Sequence, residues 1–437
     1  MIDHARIASL RADEEVRFVA ANPKSAAAGA ARATHWHQGV PFHWMRDWPS
    51  PFPLVAAKAE KATLTTIDGQ TLDDFCLGDT AAMFGHSPPS LARAIAEQAQ
   101  WGLGYMLPVE GVERVGALLA EHFGLPFWQV TTTASEANRA VIRWARAITG
   151  RGKILIFNGC YHGAVDDVFV DLRDGVAETR RSLVGQVYDI SRHTAVVEFN
   201  DFDALAQALA REDIACVLAE PVMTNVGMVL PQPGFLEEMR RLTQAHGTLL
   251  IWDETHTISS GWAGHSGTYG PAGDMMVIGK SIGGGVPCAV YGFTEEVSHA
   301  MIAARRKVPP GHSGIGTTLS ANALSIATME AMLDQVMTHE AYDHMLRLAV
   351  ELVEGLEALI TRHALPWHIT NVGARVELIC APVPPKNGSE ARAAMDHDLE
   401  SLLAPFHNMM LVSPVTQVEA VTGVVCNLDG SAQTLFG

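Results

Sequence analysis

Cysteine is sparse and scattered in this chain of 437 residues. The six cysteines, Cys76, Cys160, Cys216, Cys288, Cys380 and Cys426, are never closer than 46 residues to one another. That spacing excludes a C-x-x-C redox motif, a zinc ribbon and a dense disulfide framework, and it reads as buried thiols in a reducing compartment. Basic residues are in deficit: 31 Lys and Arg face 48 Asp and Glu, for a net charge of −17. So acidic a surface argues against nonspecific nucleic-acid binding and against docking on anionic lipid, but not against a local pocket for a small anion. No uncharged apolar run approaches the ~20 residues that span a bilayer. The opening MIDHARIASLRADEEVRF carries charges throughout and has no apolar core of a secretory signal. The expectation is a cytoplasmic protein with no membrane and no nucleic-acid partner.

Common catalytic signatures are missing too. No G-x-G-x-x-G follows a strand, so a dinucleotide site is unsupported. Gly279-Lys280-Ser281 resembles the end of a phosphate loop, but the required glycine position holds Asp274, and Gly273 is one residue too far. No G-x-S-x-G nucleophile elbow occurs. His35, His37 and His43 lie close together without carboxylates or cysteines at ligand spacing; they read as surface or packed histidines, and no metal is expected.

What is present is a large apolar fraction, 48%, with 18% charged residues, enough for a sizeable core. The length exceeds what one core serves and suits two or three lobes. Residues 1–33 are Ala- and Arg-rich and read as helix. Residues 34–54 hold three Trp, four Pro and three His and read as an irregular aromatic segment. KATLTTIDGQTLDDFC reads as a β-hairpin turning at Asp68-Gly69. From about residue 90, helical stretches alternate with short apolar strands: KILIF, ACVLAEPV, TLLIWDE, MMVIGK and CAVYGF. Nearly continuous apolar strands between helices predict a parallel or mostly parallel sheet covered on both faces. Such sheets keep their chemistry at the carboxyl ends of strands. Residues 321–365 read as long helix, and 366–437 as strands and helices of a second, smaller α/β lobe.

Four features fall at those strand ends. Thr132, Thr133 and Ser135, followed by Glu136, open a helix after the strand WQV. They suit an ordinary N-cap, or a phosphate cup of backbone N–H groups, hydroxyls and helix dipole. Asp253 ends LLIWDE, as a cap or as the partner of a buried cation. Lys280 ends MMVIGK, before Ser281-Ile282 and three glycines. Partial desolvation there favours a nucleophilic amine, and the glycines let backbone approach a ligand. Tyr161, in NGCYHG after KILIF, is a core aromatic or a flat stacking surface. Taken together they match the needs of pyridoxal phosphate: a lysine for the Schiff base, an acid for the pyridine nitrogen and an anchor for the phosphate.

With these motifs in this order, the chain resembles the class-III aminotransferases of the fold-type-I pyridoxal-phosphate enzymes. The branch is that of glutamate-1-semialdehyde aminomutase and the β-amino-acid aminotransferases. The likeness runs from NPKS near residue 22 to HNMMLVSP near 407. It implies that Lys280 in IGKSIGGG forms the Schiff base and that Asp253 pairs with the pyridinium nitrogen. Tyr161, with His162 beside it, would cover the ring, and Thr133, Ala134 and Ser135 would form the phosphate cup. Glu220 and Asn225, in AEPVMTN, would lie near the phenolic side. Thr318, in TTLSAN, would reach the phosphate of a neighbouring subunit, which implies a homodimer with active sites at its interface. The implied fold is α/β, a mixed and mostly parallel seven-stranded sheet in a large domain over residues 70–326. A smaller domain would combine residues 1–69 and 327–437, with the segment 34–54 over the active-site mouth.

The chain also departs from the family pattern. The usual Asn-Ser-Gly-Thr-Glu cup reads Thr132-Thr133-Ala134-Ser135-Glu136, tolerable at Ala134 if its φ stays negative. The usual Asp-Glu-Val reads Asp253-Glu254-Thr255, setting a hydroxyl behind the ring. Where relatives place an arginine for the substrate carboxylate, this chain has Trp44 or Met45, with Arg46 one or two residues away. Either Arg46 does that work from a shifted loop, or the pocket is aromatic and takes a bulky amine or aryl side chain. The expected activity is transamination between an amine or (β-)amino acid and a keto acid. Aminomutase, epimerase or ammonia-lyase chemistry is the alternative on the same scaffold, and a non-catalytic cofactor-binding protein the alternative from another class.

Overall fold

The computed structural model describes residues 4–395 and 409–436. Residues 1–3, 396–408 and 437 of the expected smaller domain, with the His407 and Asn408 end of the family likeness, lie outside the described residues. The Ala- and Arg-rich start forms two helices, His4–Ala21 and Pro23–Arg32. They divide at Pro23, which lacks an amide hydrogen and suits the first turn of a helix. The expected hairpin belongs to a three-stranded antiparallel sheet of β1 (Ala56–Glu60), β2 (Thr63–Thr66) and β3 (Thr71–Asp73). Its turn is at Asp68-Gly69, where Gly69 takes a φ of 92° that favours glycine.

The centre is a seven-stranded sheet. Its strands are β4 (Phe127–Thr131), β5 (Lys153–Phe157), β8 (Thr194–Val197), β9 (Ile214–Ala219), β10 (Leu249–Asp253), β11 (Met275–Ile278) and β12 (Ala289–Phe293), in the spatial order β4-β12-β11-β10-β9-β5-β8. A small β6 (Val170–Arg173) and β7 (Val176–Thr179) ribbon intervenes in sequence. Only β12 runs antiparallel to its neighbours; the other strands share one direction. Strands β5, β9, β10, β11 and β12 are buried on both faces, which explains strands that are apolar without alternation. Ile154 and Ile156 of β5 meet Ala137, Val141 and Ile142 of the helix Ala134–Thr149 on one side. Leu155 and Phe157 meet Leu205, Phe235 and Met239 of two helices on the other.

The stretch expected as one long helix is two, Ala323–Gln335 and His339–His363. The second starts afresh because the Thr338 hydroxyl accepts a hydrogen bond from the Ala341 amide, a cap that the apolar periodicity of the segment conceals. After it come β13 (His368–Val372), β14 (Arg375–Ile379) and β15 (Met409–Leu411), an antiparallel sheet packed on His339–His363 and on the last helix, Val418–Phe436.

One turn ties this sheet to the centre. Gly373, between β13 and β14, has a φ of 60°, and a Cβ there would lie 2.2 Å from the Ser259 carbonyl oxygen. The same carbonyl accepts from the Ala374 amide at 3.0 Å. This contact seats β14 beside the segment that follows β10. Gly373→Ala therefore combines a left-handed φ with a backbone clash and is expected to lower stability by about 2–4 kcal/mol. Urea unfolding checks this; a loss near zero would show that the turn moves freely.

Candidate active site

Strand direction gathers the candidates. β4, β5, β9, β10 and β11 all end at the same edge, so the residues just past them converge. They line a cavity of about 300 Å³ whose walls include Thr133, Ala134, Ser135, Tyr161, His162, Glu220, Asp253, Thr255 and Lys280. Sequence reasoning placed each of these at a site, and the structure brings them together.

Asp253 is a buried charge on the cavity wall. It is 4% exposed. One carboxylate oxygen accepts from Asn138 Nδ2 and from His162 Nδ1, both at 2.9 Å, and the other from the Thr255 amide at 3.1 Å. Burial alone would raise its pKa, but the His162, Thr255 and Asn138 hydrogen bonds and the His162 charge hold it at about 2. For His162, burial disfavours the charged ring, yet Cys160 and Asp253 outweigh it and raise its pKa well above the usual 6.5. Nearby, burial pushes Glu220 up to about 7 against the opposing pull of His162, with Thr224 Oγ1 donating to its carboxylate.

The helix Ala134–Thr149 opens on the cavity. Thr133 caps it, its hydroxyl accepting from the Glu136 amide at 3.2 Å, and Glu136 in turn accepts from the Thr132 amide at 2.9 Å. The capping pattern and the anion cradle are thus one structure, because the caps leave the first-turn amides of Ala134 and Ser135 to face a ligand. Ala134 is absent from the residues with positive φ, so its methyl is tolerated. Its Cβ instead constrains the neighbouring loop: a Cβ on Gly279 would lie 2.8 Å from it. A Cβ on Gly163, whose φ is 83°, would lie 2.2 Å from Ser135 Oγ. Two glycines therefore let two loops close around the helix terminus.

Lys280 stands at a φ of 51°, just past β11. Its side chain is 26% exposed. Nζ makes an ion pair with Asp79 and lies 2.8 Å from His256 Nε2. The sequence led us to expect a desolvated amine; the structure also gives that amine a carboxylate. Tyr161 is half-exposed on the cavity wall, and burial and Asp79 raise its hydroxyl pKa.

Five expected residues are not among those lining the cavity. Asn225 is half-buried near the loop after β9, and Thr318 is exposed. Trp44 and Arg46 are exposed and Met45 partly so, in the short turn His43–Arg46; Arg46 Nη1 reaches the Gln38 carbonyl at 3.4 Å. Sequence reading missed Asn138, Asp79, His256 and Arg375. His256 had a signal, three residues beyond Asp253 past a strand end. Asn138 had a weaker one, one helical turn after Ala134, whereas Asp79 and Arg375 lie in stretches without a motif.

The donor set fits pyridoxal phosphate. A permanently ionised, buried carboxylate suits a protonated ring nitrogen, an amine faces the same space, and the glycine-backed helix terminus suits a phosphate. Fold and site together define a fold-type-I pyridoxal-phosphate enzyme. The chain belongs to the class-III aminotransferases, whose family model, aminotransferase class-III, matches residues 45–397. It is 44% identical to a glutamate-1-semialdehyde aminomutase of Pseudomonas aeruginosa PAO1, over 99% of both chains, with a TM-score of 0.96. A variant of that protein has been solved in complex with PMP. Glutamate-1-semialdehyde 2,1-aminomutase 2 of Bacillus cereus (strain B4264) is 32% identical over 363 residues, 82% of each chain. The β-phenylalanine aminotransferase of Variovorax paradoxus is 26% identical over 97% of each chain, with a TM-score of 0.86. Among the described residues, no helix is long and apolar enough to cross a membrane.

The Asp253 pair carries measurable consequences. Asp253→Ala strands a buried imidazolium and is expected to cost about 3–5 kcal/mol in urea unfolding of the cofactor-free protein. The pH window follows from the signs. The raised His162 pKa gives stability that is complete below 6.5 and is lost as pH rises through the folded value. The lowered Asp253 pKa gives stability present above 3.8 and lost as pH falls toward about 2. His162→Gln should therefore depress the melting temperature most between about pH 4 and 6.5, and progressively less on the alkaline side. A deficit that grew with pH above 6.5 would refute the charged pair.

Proposed function

We propose that this chain is an aminotransferase that moves an amino group between an amine or amino acid and a keto acid, with Lys280 as the covalent residue. The observation that carries the reading is the meeting of Lys280, Asp253 and the amides of Ala134 and Ser135 on one cavity. When bound, the cofactor supplies an electron sink for the pair left as a bond at the amine-bearing carbon breaks. Lys280 Nζ would hold it, the helix terminus its phosphate, Asp253 its ring nitrogen, and Tyr161 one ring face. Lys280 Nζ then moves the proton of the substrate carbon as general base and acid. Glu220 and Asn225 would lie toward the phenolic side. Cytoplasmic location and a homodimer belong to the same reading; Thr318, exposed on its own chain, would meet the cradle of a second copy.

The cavity volume, about 300 Å³, lies at the small end of ligand sites, which run ~300–1,000 Å³. A second reading, an aminomutase acting within one small substrate, is favoured by the relatives at 44% and 32% identity, both named as aminomutases. The two separate in one assay. The loaded enzyme is given an amine with pyruvate or 2-oxoglutarate, and separately glutamate 1-semialdehyde alone. A new amino acid formed from the keto acid supports the aminotransferase. Isomerisation without any keto acid supports the aminomutase. Lys280→Ala should reduce either product to background, and undiminished turnover in that variant would end both readings.

A further inference from the structure

The loop after β5 brings Tyr161 and His162 to the cavity wall, and its backbone is tied at several points. Asn158 Nδ2 donates to Glu198 at 2.7 Å and to Ser389 Oγ at 3.0 Å, and Asn158 Oδ1 accepts from the Leu172 amide at 2.9 Å. The His162 carbonyl accepts from Asn138 Nδ2 at 3.0 Å, and the Ala164 amide donates to Ser135 Oγ at 2.9 Å. The Tyr161 side chain is held differently. Among the described residues no hydrogen bond reaches its hydroxyl. Its ring leans on that of Phe169, with centroids 6.5 Å apart and planes at 59°.

Phe169 is in turn gripped by Arg180. The β6–β7 ribbon pairs Val170 with Thr179. Phe169 and Arg180 are the next cross-strand pair, closed by the Arg180 amide donating to the Phe169 carbonyl at 2.8 Å. That sets the guanidinium over the Phe169 ring, 5.4 Å from its centroid, within the ~6 Å at which a ring face attracts a cation. Arg180 Nη2 donates to the carbonyl of Cys160, the residue just before Tyr161, at 3.1 Å, and Nε donates to Asp171 at 3.1 Å. Asp171 is 2% exposed. It also accepts from Arg392 Nη2 at 3.0 Å and pairs with Arg173 at 3.6 Å. Burial would raise the Asp171 pKa, but Arg392 and Arg180 hold it below the usual carboxylate range, so it stays ionised. One planar fork thus meets an anion, a carbonyl and a ring at once, a combination that a lysine ammonium on its flexible stem does not reproduce.

We propose that Arg180 is a positioning residue: through the Cys160 carbonyl and the Phe169 ring it sets the plane of the Tyr161 ring at the cavity, and Asp171 holds Arg180 in place. The proposal rests on the reading in which Tyr161 covers one face of the cofactor ring. A stacking aromatic works through its plane, because the attraction between rings depends on their tilt and offset. Without the guanidinium, the Tyr161 ring keeps its place in the chain but loses the support behind Phe169 and the tie on the carbonyl before it. Asp171 does not depend on Arg180 for a partner, since Arg392 and Arg173 remain. Replacing Arg180 therefore frees the ring without stranding a buried charge. Arg173 shares the same carboxylate but turns to Glu178, at 2.8 Å, and serves as the contrast.

The test loads the full chain with pyridoxal phosphate, measures uptake by absorbance, and reads the circular dichroism of the cofactor band per mole bound. That signal arises from the asymmetry of the groups packed on the ring, so it follows their plane as well as their presence. Tyr161→Leu sets the level reached when stacking is lost. Arg180→Lys keeps the charge, and Phe169→Leu keeps the Arg180 bond to Cys160; both should fall most of the way to that level. Arg173→Ala should match the wild type. Wild-type dichroism in Arg180→Lys or in Tyr161→Leu, or an equal loss in Arg173→Ala, overturns the proposal. In the cofactor-free chain, Arg180→Lys should speed hydrogen–deuterium exchange of the peptide 158–165 about tenfold, a factor that one hydrogen bond to a charged group supports; unchanged exchange also overturns it. Absence of uptake by the wild type sinks the proposed function, whereas uptake with unchanged dichroism in Arg180→Lys sinks the positioning role alone.

Discussion

A carboxylate shut away from water must be given partners, and the architecture around Asp253 is arranged to supply them. Its three hydrogen bonds come from the helix after β4, the loop after β5 and the backbone beyond β10. Loss of His162 would leave a buried charge whose desolvation costs several kcal/mol, and the two other bonds satisfy the carboxylate's remaining lone pairs. Satisfying Asp253 therefore fixes the relative positions of three segments. The same arrangement draws Gly163 and Gly279 against the helix terminus at Ala134 and Ser135. An anion cradle and a cation partner are in this way set on one small cavity, as a zwitterionic, phosphorylated ring requires.

Much of this was legible in the residues. Apolar strands without alternation gave away a sheet covered on both faces, and strand ends then pointed to Asp253, Lys280 and Tyr161. The hydroxyl run at Thr132–Ser135 was ambiguous between cap and cup because it is both. Other parts could not be read. Asn138 looks like any polar residue on a helix; its role exists only because the helix crosses the end of β10. The break at Thr338 was hidden because the apolar period continues in phase across it. The turn at Trp44, Met45 and Arg46 carries strong residues but no periodicity, so nothing local fixes where it docks.

The neighbourhood of Lys280 draws on more than the strand that carries it. Residues distant in sequence, Asp79, His256 and Arg375, meet there through the turn after β3, the segment after β10 and the start of β14. The Gly373 contact with Ser259 holds the last two together. The smaller sheet thus supports the reactive edge of the larger one. That coupling explains why a residue as far along the chain as Arg375 bears on an amine set by β11.

The account depends on a covalent link at Lys280 to a cofactor held by Asp253. The most direct test is borohydride reduction of the chain loaded with pyridoxal phosphate, followed by peptide mapping. The account predicts a single stable phosphopyridoxyl adduct on the peptide containing Lys280. An unmodified Lys280, or the adduct on any other lysine, would contradict it.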